Sequence, residues 1–372
     1  MMNVRLAIRP YSSCTCAAFS GREAGWTDPG RVLIDSPEVP RGGEVHSMKI
    51  LITGASGYFC EELIAQLSLA GHELRLSDIV HMETEHEFVN CSVTEFGALA
   101  LAMEGVDAVF HTVVGGRRYP PDSPVNRAHT GVEHFNTTVM GTFNILQLAG
   151  EMGIGRVVMI GSEAARGQRI PPTDWEVCDE WTPARPDYVY ALAKYVMEPI
   201  SEYATRIDGV ETAVLRNAWF GAANGKSVTR MGTSLLFQRS ALRRDLVRAG
   251  VLAIEKENLG HDVFLLSGST EFTKEDVPEL RTDPRAVVER YYPGACDKLA
   301  EYGDGDELQK LFDSRNLWKI DDISHSRKVL GWEPTYNFRN FYEGLMADAF
   351  PKDYMFREMV TTGTDADKAI FL

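Results

Sequence analysis

From residue 48 onward, short apolar runs alternate with segments of helical period, and this alternation restricts the fold more than any other feature. The run 48–53 (Met-Lys-Ile-Leu-Ile-Thr) precedes a helical segment over 61–70, which Gly71 ends. Because parallel strands need helical crossovers, the pattern predicts an α/β fold with a parallel sheet covered on both faces. Further strands are expected at 73–78, 106–111, 156–160, 212–215 and 262–266, and helices at 132–152, 188–206 and 243–257.

The loop after the first strand has the composition of a phosphate-binding turn. Gly54 and Gly57 let the backbone approach a pyrophosphate, and the next helix offers free N–H groups at its positive end. Asp78 follows Gly57 by 21 residues, where a carboxylate can accept both ribose hydroxyls of NAD and repel the 2′-phosphate of NADP. We therefore expect NAD, bound by Gly54, Ser56, Gly57, Tyr58, Phe59, Asp78 and Ile79.

Cys60 stands where the third glycine of such a loop is usual. That position governs how closely the helix packs on the strand, so a slightly displaced helix is expected. A redox role for Cys60 has no support in the sequence beyond its position.

Tyr190 and Lys194 lie four residues apart in a predicted helix and therefore share one face. A phenol has a pKa near 10, and a neighbouring ammonium together with the positive nicotinamide ring favours the phenolate. Tyr190 is then the candidate base that accepts a hydroxyl proton as hydride passes to NAD, and Lys194 also holds the ribose. Ser162 follows the strand 156–160 and is the candidate hydrogen-bond donor to the reacting oxygen.

Thr53-Gly54-x-x-Gly57, Asp78, Ser162, Tyr190 and Lys194 resemble, in order and spacing, the extended short-chain dehydrogenase/reductases and their NAD-dependent sugar epimerase/dehydratase family. The resemblance covers about residues 48–345. It implies a Rossmann-type doubly wound parallel sheet with a smaller mixed α/β C-terminal substrate domain, and a homodimer formed through the long helices. The implied divisions are an irregular N-terminal extension (1–47), an NAD-binding domain (48–215), a substrate-binding region with some segments returning to the sheet (216–346), and a tail (347–372).

The resemblance is more specific for the family than for the reaction. It implies oxidation of a secondary hydroxyl of a carbohydrate-like substrate, and the favoured interpretation is an epimerase with a transient keto intermediate. A net sugar, sugar-acid or cyclitol dehydrogenase is the alternative. A non-catalytic NAD sensor or scaffold is a third, against which the intact Ser162, Tyr190 and Lys194 argue. Dehydratases of the family carry Asp-Glu after the catalytic Ser or Thr, whereas Glu163 and Ala164 stand here, which disfavours a dehydratase.

The substrate contacts are less sharply defined. Only 23 residues separate Gly221 from Asp245. The resemblance implies that epimerases of nucleotide sugars hold the diphosphate and the base with a longer segment at this place. This chain is instead expanded over 267–318. The substrate is therefore either smaller than a nucleotide sugar or a nucleotide sugar held by the later insertion.

Four residues are the candidate substrate contacts. Arg117 and Arg118 either bind a substrate anion or are ordinary surface arginines. Trp219 either stacks on a sugar or packs in the core. Glu163 either contacts the substrate or faces solvent.

The composition indicates which classes of binding partner and which cellular compartment to expect. The net charge of −15 argues against nucleic acid and anionic membranes as main partners. No apolar run approaches the roughly 20 residues that span a bilayer. The six cysteines are scattered and not at metal-ligand spacing, which predicts free thiols in the cytoplasm and no metal.

Residues 1–47 have no sustained period and no apolar core of a secretory signal. A natural translation start at Met48 is one hypothesis, and a transit peptide is another. The intact mass of the natively expressed protein distinguishes a start at Met48 from a chain of 1–372.

Overall fold

The computed structural model describes residues 33–35, 47–115, 126–167, 177–220, 226–238, 240–302, 309, 312–313, 319–350, 355–356 and 368–370. The strands are β1 (Leu33–Asp35), β2 (Lys49–Thr53), β3 (Glu73–Asp78), β4 (Glu87–Asn90), β5 (Ala108–His111), β6 (Arg156–Ile160), β7 (Val177–Cys178), β8 (Glu211–Asn217), β9 (Lys226–Ser227), β10 (His261–Leu266), β11 (Ile320–Asp321), β12 (Met355–Phe356) and β13 (Lys368–Ile370).

The α-helices are α1 (Tyr58–Leu69), α2 (Phe96–Met103), α3 (Asn126–Phe135), α4 (Gly141–Met152), α5 (Val189–Asp208), α6 (Val228–Leu236), α7 (Arg243–Glu255), α8 (Val277–Leu280), α9 (Pro284–Tyr291), α10 (Ala295–Glu301), α11 (Ser324–Leu330) and α12 (Phe338–Met346). Short 3₁₀ helices cover Glu163–Arg166 and Lys274–Asp276, and a π-helical turn over Asn136–Met140 joins α3 to α4.

Seven parallel strands form the central sheet in the order β10-β8-β6-β5-β2-β3-β4. This arrangement confirms the predicted α/β fold with a parallel sheet. The strand order reverses between β2 and β5, because β3 pairs on one side of β2 and the later strands build on the other. A reversal of this kind opens a crevice at the carboxyl ends of the strands, where ligands of such sheets bind.

Both faces of the sheet are buried, which explains the continuous apolar runs of its strands. In β2, Ile50 and Ile52 pack with α1 and α7 on one face, and Leu51 packs with α4 and α5 on the other. A further apolar cluster lies among helices of the C-terminal part, where Leu235 and Val288 pack with Phe341. Two segments beyond residue 215, α7 and β10, belong to the sheet and its helical cover.

Three of the differences from the sequence-based elements lie between residues 87 and 152. The single helix expected at 132–152 is α3, the π-helical turn and α4. Strand β4 was not predicted, because its Glu87 and Asn90 are exposed at the edge of the sheet. Helix α2 was not predicted either, because Phe96–Met103 is apolar nearly throughout and has no amphipathic period. Among the described helices, none has the length and apolarity needed to cross a membrane.

Candidate active site

A cavity of about 1500 Å³ lies along the carboxyl ends of β2, β3, β6 and β8. It brings together twelve predicted site residues from separate parts of the chain: Gly54, Ser56, Gly57, Tyr58, Phe59, Asp78, Ile79, Ser162, Glu163, Tyr190, Lys194 and Trp219. Arg117 and Arg118 lie outside the described residues. Within the described part of the chain, no cluster of His, Cys, Asp and Glu has the composition of a metal site.

The glycine loop after β2 makes a tight turn in which glycine is required. Gly54 has a φ of +78°, and a Cβ there would lie 2.7 Å from the Thr112 Oγ1 atom. Gly57 precedes α1, and no side chain caps this helix. The Cys60 N–H donates to the Gly57 carbonyl oxygen at 2.8 Å, so the positive end of the helix dipole lies at the loop, where it favours an anion.

Cys60 is fully buried beneath this loop, where its Sγ lies 3.3 Å from the Gly54 carbonyl oxygen and 3.2 Å from Thr112 Oγ1. Burial raises the pKa of the Cys60 thiol to about 12. A thiol that stays protonated is a poor nucleophile. Cys60 therefore joins the loop to β5 as a hydrogen-bonding group, and its environment gives no support to a redox role.

Asp78 ends β3 beside the glycine loop and has a fixed orientation. Its Oδ2 accepts hydrogen bonds from the Ser56 backbone N–H (3.0 Å) and the Ser56 hydroxyl (2.8 Å), and its Oδ1 accepts one from the Val80 N–H (2.9 Å). Ile79 follows as an exposed apolar side chain at the cavity wall. These residues fit the adenosine end of a dinucleotide, because a carboxylate and an apolar surface lie next to the pyrophosphate turn.

Ser162, Tyr190 and Lys194 meet at the carboxyl end of β6. The Ser162 hydroxyl lies beside the Tyr190 phenol, whose pKa it acts to lower, and its oxygen accepts a hydrogen bond from the Ala164 N–H at 3.2 Å. Lys194 lies one turn after Tyr190 on α5, and its Nζ donates to the Ile160 carbonyl at 2.5 Å. The predicted trio is therefore assembled in the cavity from β6, the segment after it and α5.

Burial dominates the electrostatics of this trio. It raises the pKa of Tyr190, while the neighbouring Ser162 hydroxyl acts in the opposite direction and the nearby Glu163 carboxylate raises the pKa further. Burial also lowers the pKa of Lys194 to about 7. In the protein without NAD, Lys194 is desolvated and donates to a backbone carbonyl, so its lowering of the tyrosine pKa stays a prediction for the complex with NAD.

Replacing Lys194 by methionine is expected to make the stability of the protein without NAD less dependent on pH. Folding lowers the pKa of this lysine from 10.5 to about 7, so between these values the unfolded chain binds the additional proton. Wild-type stability should therefore rise with pH across this window by up to about 1.4 kcal/mol per unit, and the Lys194→Met variant should lack that component. Urea unfolding at several pH values measures the difference.

The matched control is Lys274→Met, because Lys274 is 69% exposed. Its unfolding free energy should follow the wild-type pH profile. The removed hydrogen bond to Ile160 shifts the Lys194→Met curve by an amount that does not depend on pH. A parallel pair of wild-type and Lys194→Met profiles would contradict the lowered lysine pKa.

Two of the predicted substrate residues can now be placed. Glu163 is 6% exposed and pairs with Arg166 at 2.8 Å, and Arg166 pairs with Asp321 of β11 at 2.9 Å. Glu163 therefore lines the cavity and does not face bulk solvent. Trp219 is 62% exposed at the cavity wall, which excludes the alternative that it packs in the core.

The sequence reasoning missed two residues of the site. Asn217 ends β8 and lines the cavity, and its only sequence signal is a polar residue at the carboxyl end of a buried strand. The His134 ring contacts the Tyr190 ring edge-on, with centroids 5.5 Å apart. This contact has no local signal, because α3 and α5 meet only in the folded chain.

Comparison with known proteins identifies a matching family model and several similar proteins. The sequence model of the NAD dependent epimerase/dehydratase family matches residues 50–243. A uronate dehydrogenase of Pseudomonas syringae pv. tomato is 30% identical over 221 residues, which are 58% of this chain and 72% of that protein. A UDP-glucose 4-epimerase of Lactobacillus helveticus is 24% identical over 336 residues, covering 78% of this chain and 93% of that protein.

A solved structure with the same fold contains the expected cofactor. A short-chain dehydrogenase/reductase superfamily protein from Agrobacterium tumefaciens, crystallised with bound NAD, superposes with a TM-score of 0.56. It is 19% identical and covers 81% of this chain and 96% of its own. At this identity the likeness shows the fold.

Proposed function

Because the chain belongs to the NAD-dependent epimerase/dehydratase family, we propose that it oxidises a hydroxyl-bearing carbon of a sugar acid with NAD and releases NADH as a net dehydrogenase. The observation that carries this proposal is the meeting of Ser162, Tyr190 and Lys194 at the wall of the cavity. The choice of a sugar acid and of net oxidation rests on the similarity to a uronate dehydrogenase. The short segment between Gly221 and Asp245 also favours a substrate smaller than a nucleotide sugar.

The mechanism follows from the positions of the three side chains. Bound NAD supplies the hydride acceptor and a positive charge on its ring. Ser162 donates a hydrogen bond to the substrate oxygen, and the Tyr190 phenolate accepts the hydroxyl proton from that oxygen. Lys194 lies one turn away on α5, where its cation holds the ribose and favours the phenolate.

Trp219 and Glu163 are the proposed substrate contacts. The exposed Trp219 ring at the cavity wall offers a flat surface to the C–H groups of a sugar. The ion pair between Glu163 and Arg166 fixes the glutamate next to Ser162, where it can accept a hydrogen bond from a substrate hydroxyl. Arg117 and Arg118 stay predicted partners of a substrate anion.

An epimerase is the second candidate function. The similarity to a UDP-glucose 4-epimerase, which extends over 93% of that protein, supports it. Both reactions share the first hydride transfer, and they differ in whether the keto intermediate stays bound and receives the hydride on its other face. Dehydratase chemistry remains disfavoured by Ala164, which carries no acid or base.

The two candidates are separated by incubating the protein with NAD and either free hexuronates or UDP-sugars. With the hexuronates we expect NADH to accumulate. One NADH should form for each product molecule, and the product should be two hydrogens lighter than the hexuronate. The measurement combines the absorbance of NADH with mass spectrometry and NMR of the products. A product of unchanged mass and inverted stereocentre, with no free NADH, would replace the dehydrogenase by the epimerase.

The long helices α4 and α5 support the proposal of a homodimer. They expose a set of large apolar side chains: Phe143, Met152, Leu192, Tyr195, Tyr203 and Ile207. Extended apolar surfaces of this kind commonly mark contacts between proteins. Light scattering of the purified protein should give twice the chain mass of 41.4 kDa.

A further inference from the structure

Asn217 has an unusual environment at the end of β8. Its side chain is 4% exposed and lines the NAD cavity, yet neither Oδ1 nor Nδ2 has a hydrogen-bond partner in the described part of the structure. Buried polar atoms of folded proteins are nearly always paired. A buried amide with two unpaired atoms at the wall of a ligand cavity therefore indicates that the ligand supplies the partners.

The position of Asn217 along the sheet identifies which part of the ligand it meets. Strand β8 is the direct neighbour of β6, and Gly161 packs so closely on β8 that a Cβ there would lie 3.1 Å from the Leu215 carbonyl oxygen. Asn217 follows Leu215 by two residues, on the same strand and beside the segment that carries Ser162. It therefore belongs to the catalytic end of the cavity.

Asp78 marks the opposite end. Three strands separate β8 from β3 in the sheet, so at about 4.8 Å between neighbours the two lie roughly 19 Å apart. A dinucleotide whose adenosine ribose is bound at Asp78 can reach Asn217 only with its nicotinamide half.

We propose that Asn217 binds the carboxamide group of the nicotinamide ring through both polar atoms of its side chain. This inference rests on the NAD site described above. A primary carboxamide presents one carbonyl acceptor and an N–H donor side by side, which matches the donor and acceptor of an asparagine side chain. The pair of hydrogen bonds fixes the rotation of the ring, and with it the ring face that is turned towards the substrate.

The test compares NAD with ADP-ribose, which lacks the nicotinamide ring, in the wild type and in Asn217→Leu. Leucine has the same number and branching of side-chain heavy atoms and removes both polar atoms. Calorimetric titration should show that NAD binds the variant about 10- to 100-fold more weakly, because two hydrogen bonds are lost, whereas ADP-ribose binding changes less than about 3-fold. The variant without ligand should unfold at the same temperature or higher, since a buried unpaired amide is removed.

A second ligand tests the individual hydrogen bonds. The 3-acetylpyridine analogue of NAD retains the carbonyl and has no amide N–H, so it should bind the wild type more weakly than NAD does. It should also lose less affinity than NAD on the Asn217→Leu substitution.

Two results would overturn the proposal. An equal loss for NAD and ADP-ribose would show that Asn217 acts on the fold of the site. Unchanged NAD affinity with a raised KM for the sugar would show that Asn217 contacts the substrate. A wild-type protein that binds neither NAD nor ADP-ribose would instead contradict the cofactor site itself, so failure of this inference is distinguishable from failure of the function.

Discussion

Replacing Tyr190 by phenylalanine is expected to lower kcat by about 10³-fold while the affinity for NAD stays within about 3-fold of the wild type. The substitution removes one oxygen atom, which lies beside Ser162 and is the proposed acceptor of the substrate proton. The ring remains, and so does its edge-on contact with His134. The rate of hexuronate oxidation measures kcat, and a fluorescence titration with NADH measures the affinity for the cofactor.

Tyr195→Phe is the matched control, because Tyr195 directly follows Lys194 on α5 and is 37% exposed. It undergoes the same chemical change on another face of the same helix and should retain wild-type kcat. A Tyr190→Phe variant that keeps full turnover would contradict the assignment of the base. A variant that also loses NAD binding would assign the phenol to the cofactor site.

The pH dependence of turnover gives an independent measure of the same group. Burial raises the pKa of Tyr190 in the protein without NAD, and the positive nicotinamide ring acts in the opposite direction when NAD binds. The wild-type rate should rise with pH as the phenol loses its proton. Tyr190→Phe should lack this limb of the profile.

The sheet and the cofactor loop could be predicted because their signals are local. A strand such as β6 is buried on both faces and therefore reads as an unbroken apolar run, and a tight turn beside a phosphate requires glycines such as Gly54. The edge strand β4 lacks such a signal, since it has one neighbour and exposed polar ends. The order and spacing of the functional residues, from Gly54 to Lys194, also allowed the family to be predicted.

The electrostatics of the site could not be predicted in the same way. The charge of Lys194 depends on how completely it is buried, and the ion pair of Glu163 with Arg166 depends on a segment that places Asp321 beside them. The contact between Arg166 and Asp321 joins residues 155 positions apart. The unpaired amide of Asn217 is likewise visible only when every neighbouring donor and acceptor is in place.

The second large effect concerns the choice between NAD and NADP. Replacing Asp78 by asparagine is expected to weaken NAD binding by about 10-fold, because a charged acceptor of the ribose hydroxyls becomes a neutral one. The same change removes the repulsion between the carboxylate and the 2′-phosphate of NADP, so the ratio of NADP to NAD affinity should rise by about 10²-fold. Titrations with both cofactors measure the ratio.

The geometry of Asp78 makes this substitution interpretable. Asparagine keeps one oxygen that can accept from the Ser56 N–H and hydroxyl, so the glycine loop should retain its conformation. The Val80 N–H loses its acceptor, because the NH₂ group that replaces Oδ1 only donates. Asp208→Asn controls for the change in net charge, because Asp208 ends α5 at the amino edge of the sheet, away from the cavity. It should leave the cofactor ratio unchanged. An equal ratio in Asp78→Asn and wild type would mean that the carboxylate does not face the 2′ position. Selectivity would then have to come from other groups around the adenosine end, of which Ser92 lines the same cavity.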